Sequence, residues 1–243
     1  MDKNNYITES SLYQDHWWLV SRKKIIRSIL NIYLTPDKNK KILEIGCGSG
    51  GLLKLLSNYG NLSAIELDDF SRKNAQKKNI CSVKYGKLPE DISNNTIYET
   101  IFLFDVLEHI EKDKKSIKKI NKLLNEGGLF ILTVPAFMFF WSSHDETSHH
   151  KRRYSRKELI SLLECNGFKI KYSSYFNIIL LPLIVSFRFF NRIVGRKNND
   201  FKKESFITNY ILKAFFSAEA TLLPYFSFPF GMSIFIVCQK RNQ

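Results

Sequence analysis

With 243 residues, 44% of them hydrophobic, the chain can bury one substantial core with a small appended cap, and this composition argues against a disordered protein. A net charge of +14 leaves three anionic partners open: a nucleic acid, an anionic membrane surface or a phosphorylated substrate. The four cysteines (Cys47, Cys81, Cys165, Cys238) are scattered without a CxxC pair, which argues against a disulfide framework or a zinc knuckle and fits a reducing compartment.

The polar start, MDKNNYITESSLYQDHWW, lacks an apolar signal core, so secretion is not expected. The first forty residues read as helix. Leu12, Trp17, Leu19, Ile25, Ile26, Ile29 and Leu30 approximate one helical face, ended by Thr35–Pro36. The pair Trp17–Trp18 is read as a lid over a cleft or as a pin holding the helix to a sheet. Lys41–Ile45 is the first strand, and it runs into Gly46, Gly48, Gly50 and Gly51 within KKILEIGCGSGG. A strand that ends in a glycine turn and then a helix is a nucleotide-binding corner. Gly46, Gly48 and Gly51 also meet the dinucleotide spacing G-x-G-x-x-G, which is weak evidence alone. The acid Glu44, two residues before Gly46, decides between ligands. A carboxylate there repels a pyrophosphate. It suits S-adenosylmethionine, which carries a sulfonium and a free ammonium and no phosphate.

At this point the chain resembles class I S-adenosylmethionine-dependent methyltransferases, whose first motif places this acid two residues before the first glycine. The further elements follow in order. Gly50–Asn58 reads as helix, Leu62–Leu67 as the second strand, Phe70–Lys78 as helix and Cys81–Tyr85 as the third strand. Tyr98–Phe104 is apolar enough for a strand buried on both faces. Lys112–Leu124 is an amphipathic helix stopped by Asn125–Gly128, with Leu129–Val134 as the fifth strand. Ser155 caps a helix ending at Asn166–Gly167, Phe168–Tyr175 is the sixth strand, and Met232–Gln239 is the last. Strands and helices alternate from Lys41 to Val134, which predicts an α/β, doubly wound fold with right-handed crossovers. The resemblance implies a mostly parallel, seven-stranded Rossmann-like sheet with an antiparallel last strand and a helical insert before it. The organisation expected is a helical lid at 1–40, a cofactor-binding core at 41–175, an apolar, basic insert or cap at 176–230, and the last core strand within 231–243.

Glu66 ends the second strand, where an acid accepts hydrogen bonds from both ribose hydroxyls of an adenosine. Asp68 and Asp69 stand where the next helix needs its cap. The resemblance implies that the loop Gly86–Pro89 covers the adenine, with Leu88 as the packing contact and Glu90 or Asp91 substituting for an acid missing near Gly86. It is specific again at Asp105–Val106–Leu107–Glu108–His109, where Asp105 and its neighbours line the methionine end of the cofactor and His109 lines the substrate side. The resemblance covers Ile42 to Phe168, and its motifs, taken in order with Gly127–Gly128, identify the family better than any one of them.

After the fifth strand comes WSSHDETSHHKRRY, Trp141–Tyr154, which looks like a substrate loop of the small-molecule methyltransferases. Two readings stand side by side. His144 or His150, oriented by Asp145, takes a proton from an acceptor hydroxyl. Alternatively, Arg152 and Arg153, with Tyr154, clamp an anionic group of the acceptor. A metal held by the histidines and acids is the weakest reading, since ligating acids are expected on the strand ends too, and no metal is expected. Trp17 is counted with the substrate-side residues.

Between the sixth and last strands, aromatic and aliphatic residues interleave with Arg188, Arg192, Arg196, Lys197, Lys202 and Lys203. The longest apolar run, Ile178–Val185, falls far short of the ~20 residues of a spanning helix. An interfacial helix at 176–213 meeting an anionic membrane, a cap and a homodimer contact all fit this pattern. The expectation is a cytoplasmic enzyme, peripheral at the inner face of the membrane, that methylates oxygen of a small, lipid-linked or glycan-linked acceptor. The rivals are an RNA methyltransferase or other nucleic-acid binder, disfavoured because no Asn/Asp-Pro-Pro-Tyr motif follows the fourth strand, and a nicotinamide-dependent oxidoreductase, disfavoured by Glu44.

Overall fold

The computed structural model describes residues 16–93, 95–179, 181 and 205–242. Its centre is one seven-stranded sheet in the order β3-β2-β1-β4-β5-β7-β6. The strands are β1 (Lys41–Ile45), β2 (Asn61–Glu66), β3 (Ser82–Tyr85), β4 (Tyr98–Phe104), β5 (Leu124–Pro135), β6 (Phe168–Phe176) and β7 (Ser233–Lys240). The first five pair in parallel, and β7 runs antiparallel between β5 and β6. Strand order reverses between β1 and β4, which opens a crevice at their carboxyl ends. The mostly parallel sheet with its antiparallel last strand is as expected.

The helices are α1 (Trp17–Tyr33), α2 (Leu53–Leu56), α3 (Asp69–Gln76), α4 (Asp113–Leu123), α5 (Ser143–Thr147), α6 (Arg156–Glu164) and α7 (Phe206–Leu222). Both faces of the sheet are covered, because side chains alternate along each strand. Ile42 joins Ile25, Ile26, Ile29 and Leu30 of α1 in one apolar cluster, whereas Leu43 joins Ile117 and Ile120 of α4 in the other.

Several boundaries differ from the sequence reading. The helix expected over Gly50–Asn58 shrinks to α2, because the chain is still turning at Gly50, whose amide donates to the Cys47 carbonyl at 2.9 Å. The predicted break at Asn125–Gly128 is absorbed into β5. Gly127 takes φ +75, and the β4–β5 register jumps between Tyr98 and Thr100, so the extra residues form an irregularity inside the strand. The segment expected as a lid supplies α1, whose inner face is fully buried and forms a wall of the core. The tryptophans hold α1 to α7 instead of to the sheet. Trp18 stacks on Phe216 with centroids 5.1 Å apart and planes 8° from parallel, and the Trp17 amide donates to Asn209 Oδ1 at 2.7 Å.

Part of the insert, including Arg188, Arg192, Arg196, Lys197, Lys202 and Lys203, lies outside the described residues, as does Leu12. Within the insert, α7 presents Ile207, Tyr210, Ile211 and Phe215 to solvent. Among the described residues no helix is long and apolar enough to cross a membrane.

Candidate active site

The glycine turn sits at the crevice. Its first two amides, of Gly46 and Cys47, donate to the Ile65 carbonyl at 2.8 and 3.2 Å, which ties the turn to the end of β2. Gly46 has φ +76, and a Cβ there would lie 2.4 Å from Val106 Cγ2, so the position admits only glycine on two counts. The Gly48 amide donates to Glu66 Oε2 at 2.7 Å, while Glu66 Oε1 accepts from the Asp68 amide at 2.8 Å. An amide that a dinucleotide site would turn toward phosphate is here bonded to a carboxylate. Asp68 caps α3 by accepting from the Ser71 amide at 2.7 Å, which leaves Glu66 as the acid facing the turn.

Glu44 lies behind the turn, 2% exposed, and its Oε2 has no hydrogen-bond partner. Burial pushes its carboxyl up to about 8; Arg22 and Lys78 pull it down, and Glu66 pushes it further up. Burial also raises Glu66, against the backbone amides that favour its ionised form. An orphaned carboxylate oxygen beside a second acid fits a ligand carrying positive charge and disfavours phosphate.

Leu88 is 3% exposed and packs among Ile45, Ile92 and Ile101, so its side chain already belongs to the core. Glu90 points outward to Lys112 at 3.0 Å. Leu67, directly after Glu66 and 49% exposed, is the apolar surface at the end of β2 that sequence reasoning did not single out.

At the end of β4, Asp105 adopts φ +53, a conformation rare for a residue with a side chain. It is held there by three contacts. Its amide donates to the Thr133 carbonyl at 3.0 Å, its Oδ1 accepts from Thr133 Oγ1 at 2.8 Å, and Arg22 reaches Oδ2 at 2.5 Å. Arg22, buried on the inner face of α1, went unnoticed in the sequence. The signal was available: it falls at helical spacing between Leu19 and Ile25–Ile26, and a cation on an apolar face needs a buried partner.

The loop after β5 gathers most of the remaining candidates. Asp145 is fully buried and accepts from Arg153 Nε at 2.7 Å, Arg153 Nη2 at 2.9 Å, the Ser142 amide at 2.8 Å and His150 Nδ1 at 2.8 Å. Burial alone would raise its carboxyl, but the His150 and Arg153 bonds outweigh that and hold it well below the usual range. The expectation that Arg152 and Arg153 clamp an acceptor anion is corrected here. Arg153 is buried with its fork closed on Asp145, and Arg152 bonds Asp113 Oδ2 at 2.7 Å and the Glu111 carbonyl at 2.9 Å. A buried guanidinium such as that of Arg153 would be costly without an internal carboxylate, and the fold supplies Asp145. Tyr154 is likewise turned inward, its hydroxyl donating to Asp113 Oδ2 at 3.0 Å.

The three histidines His109, His144 and His150 come together. The rings of His109 and His150 meet edge to face with centroids 4.6 Å apart, and His144 lies 6.0 Å from His150. Burial, then His150, lowers the His109 pKa to about 4. His149, by contrast, is exposed, and Trp17 sits in the α1–α7 contact. Glu108, next to His109, is fully buried, and neither carboxylate oxygen has a hydrogen-bond partner. Burial, then Asp105, raises its pKa well above the ordinary value.

A seven-stranded sheet with this order, a glycine turn backed by two acids and an Asp–x–x–Glu–His segment at the switch point together define the class I methyltransferase fold. Residues 18–172 match the family model described as a methyltransferase domain, and the chain belongs to that family. Among its relatives, a Mycolicibacterium smegmatis protein named as a probable S-adenosylmethionine-dependent methyltransferase is 21% identical over 168 residues, covering 68% of this chain and 64% of the relative. A ubiquinone biosynthesis O-methyltransferase of Pelagibacter ubique is 32% identical over 107 residues, covering 41% of this chain and 44% of the relative. The matches thus span less than two thirds of either relative's length. In fold, the chain is similar to Haemonchus contortus phosphoethanolamine N-methyltransferase 2, solved in complex with S-adenosyl-L-methionine. The TM-score is 0.57 at 16% identity, covering 89% of this chain and 52% of the other.

Proposed function

We propose that the protein is an S-adenosylmethionine-dependent methyltransferase acting on a hydroxyl oxygen of a small, lipid-linked or glycan-linked acceptor. The observation that carries the cofactor half is the pair of buried acids at the glycine turn, Glu44 with its orphaned oxygen and Glu66 bonded to the Gly48 amide. Glu44 and Asp105 would face the methionine end, and Glu66 the ribose. S-adenosylmethionine supplies an electrophilic methyl group on a sulfonium that is already a good leaving group.

The work left to the chain is to align the acceptor, exclude water and take a proton from the hydroxyl. His150 packs against His109 of the Asp105–His109 segment, with His144 next to it, and the proton passes to His144 or His150. The Asp145 carboxylate accepts from His150 Nδ1, which fixes the tautomer and leaves the lone pair on Nε2. Arg153 acts through Asp145 by holding that carboxylate ionised and in place.

An apolar or lipid-linked acceptor is supported by exposed aromatics, one of them just before the loop that carries His144 and His150. Phe139 is stacked with Phe230 at 6.3 Å, and Phe139, Tyr225 and Phe226 are all well exposed. The test is incubation of the full chain with methyl-labelled S-adenosylmethionine and cell extract, followed by separation of lipid, glycan and RNA. Label in a lipid or glycan fraction, stable to mild acid as an ether is, is expected; label confined to RNA would contradict the acceptor reading.

A further inference from the structure

Among the described residues, Glu108 stands out as a fully buried carboxylate with neither oxygen hydrogen-bonded. A carboxylate in that position is costly unless something positively charged meets it. Arg22 and Arg153 are near enough to favour its charge, but Nη2 of Arg22 is bonded to Asp105 and Thr133, and the Arg153 fork is closed on Asp145. What does stand beside Glu108 is a pair of imidazoles. One ligand atom each of Glu108, His109 and His150 lies within 4.8 Å of the others.

We propose that Glu108, His109 and His150 form a binding site for one divalent first-row transition ion, zinc being the best match, where the segment after β4 meets the loop after β5. Two imidazoles and a carboxylate are the donor set of an open three-ligand zinc site, which keeps a fourth position for water or substrate. One ring is already set up as a ligand: His150 donates through Nδ1 to Asp145, so its Nε2 keeps a lone pair, and the His109 ring stands edge to face against it. Asp145, anchored by Arg153 and the Ser142 amide, is then the outer carboxylate that orients a metal-bound histidine. Tetrahedral zinc with bonds of about 2.0–2.1 Å needs ligand atoms about 3.3 Å apart, so atoms now within 4.8 Å of one another must close by up to about 1.5 Å through χ rotations.

The inference rests on the methyltransferase reading and makes it more specific. An acceptor hydroxyl in the ion's open position would be more acidic, and His144, not a member of the triad, would receive its proton.

The full chain, freed of metal with a chelator, is titrated with zinc chloride by calorimetry, and with cobalt(II) followed by absorption. In parallel, thermal stabilisation by S-adenosylhomocysteine is measured on the same samples. One zinc per chain is expected, weakened at least tenfold in both Glu108→Gln and His150→Ala. The cobalt spectrum should lack thiolate charge-transfer bands, which separates this site from the cysteines. Zinc uptake below one equivalent by the unaltered chain, or uptake undiminished in both variants, would overturn the proposal. Uptake without stabilisation by S-adenosylhomocysteine would uphold the metal site and contradict the cofactor reading; stabilisation without uptake would do the reverse.

Discussion

Glu44 joins the acid–base chemistry of the site to its ligand. Its pKa is raised from an ordinary 4.5 to about 8, chiefly by burial. A group whose folded value lies above its unfolded one supports the ligand-free fold fully below the unfolded value, and that support is lost as pH rises through the folded value. The unliganded protein should therefore lose this contribution between about pH 4.5 and about 8. A bound ammonium reverses the preference and expels the proton. Affinity for S-adenosylhomocysteine should accordingly rise from about pH 6 to about pH 8, and Glu44→Gln should weaken binding and flatten that slope, as read by calorimetry in buffers of differing ionisation heat. Gly46→Ala should abolish binding outright, because the added Cβ meets Val106 and the backbone is held at φ +76. On the acceptor side, Arg153→Ala strands the buried Asp145 carboxylate. A loss of about 3–5 kcal/mol is expected from the shift in denaturation midpoint. At this scale the burial of two acids at the glycine turn was legible, since a carboxylate before such a turn is a local signal. The destinations of Arg152 and Arg153 were not, because their partners Asp113 and Asp145 are brought to them only by the packing of α4 and the loop after β5.

Strands carried most of the legible signal among the elements. β1 and β4 have the bounds expected from their apolar runs, as parallel strands buried on both faces should. Elements shaped by backbone geometry were harder to read. The glycine turn consumes residues that look helical in composition, and Gly127 bends β5 without ending it. α1 shows how one face can serve two partners. Its Ile25, Ile26, Ile29 and Leu30 enter the core, while Trp17, Trp18 and Ser21 meet α7 across a separation that periodicity cannot reveal. Because Arg22 also reaches Asp105 from α1, packing of this helix and the order of the cofactor site are coupled. Phe216→Ala, which removes the fully buried ring under Trp18, is expected to cost about 3–5 kcal/mol in chemical denaturation. It should also weaken S-adenosylhomocysteine binding, although Phe216 is not a site residue. Unchanged binding at temperatures where the variant stays folded would show that α1 acts only as scaffold.

For the whole molecule, the net charge of +14 is spread over lysine-rich surfaces, and the described cations nearest the cleft are paired with carboxylates inside the fold. Retention on an RNA column is therefore expected to be weak and to fall away with modest salt. A steep, linear loss of log affinity with log salt would instead mark a dedicated nucleic-acid face. The central claim is that the crevice at the end of β1 takes a cationic sulfur-and-amine ligand and refuses a pyrophosphate. Its most direct measurement is the melting temperature of the full chain with S-adenosylhomocysteine and, separately, with NADH at equal excess. A rise with the first and none with the second is predicted. A rise with NADH alone would contradict the account.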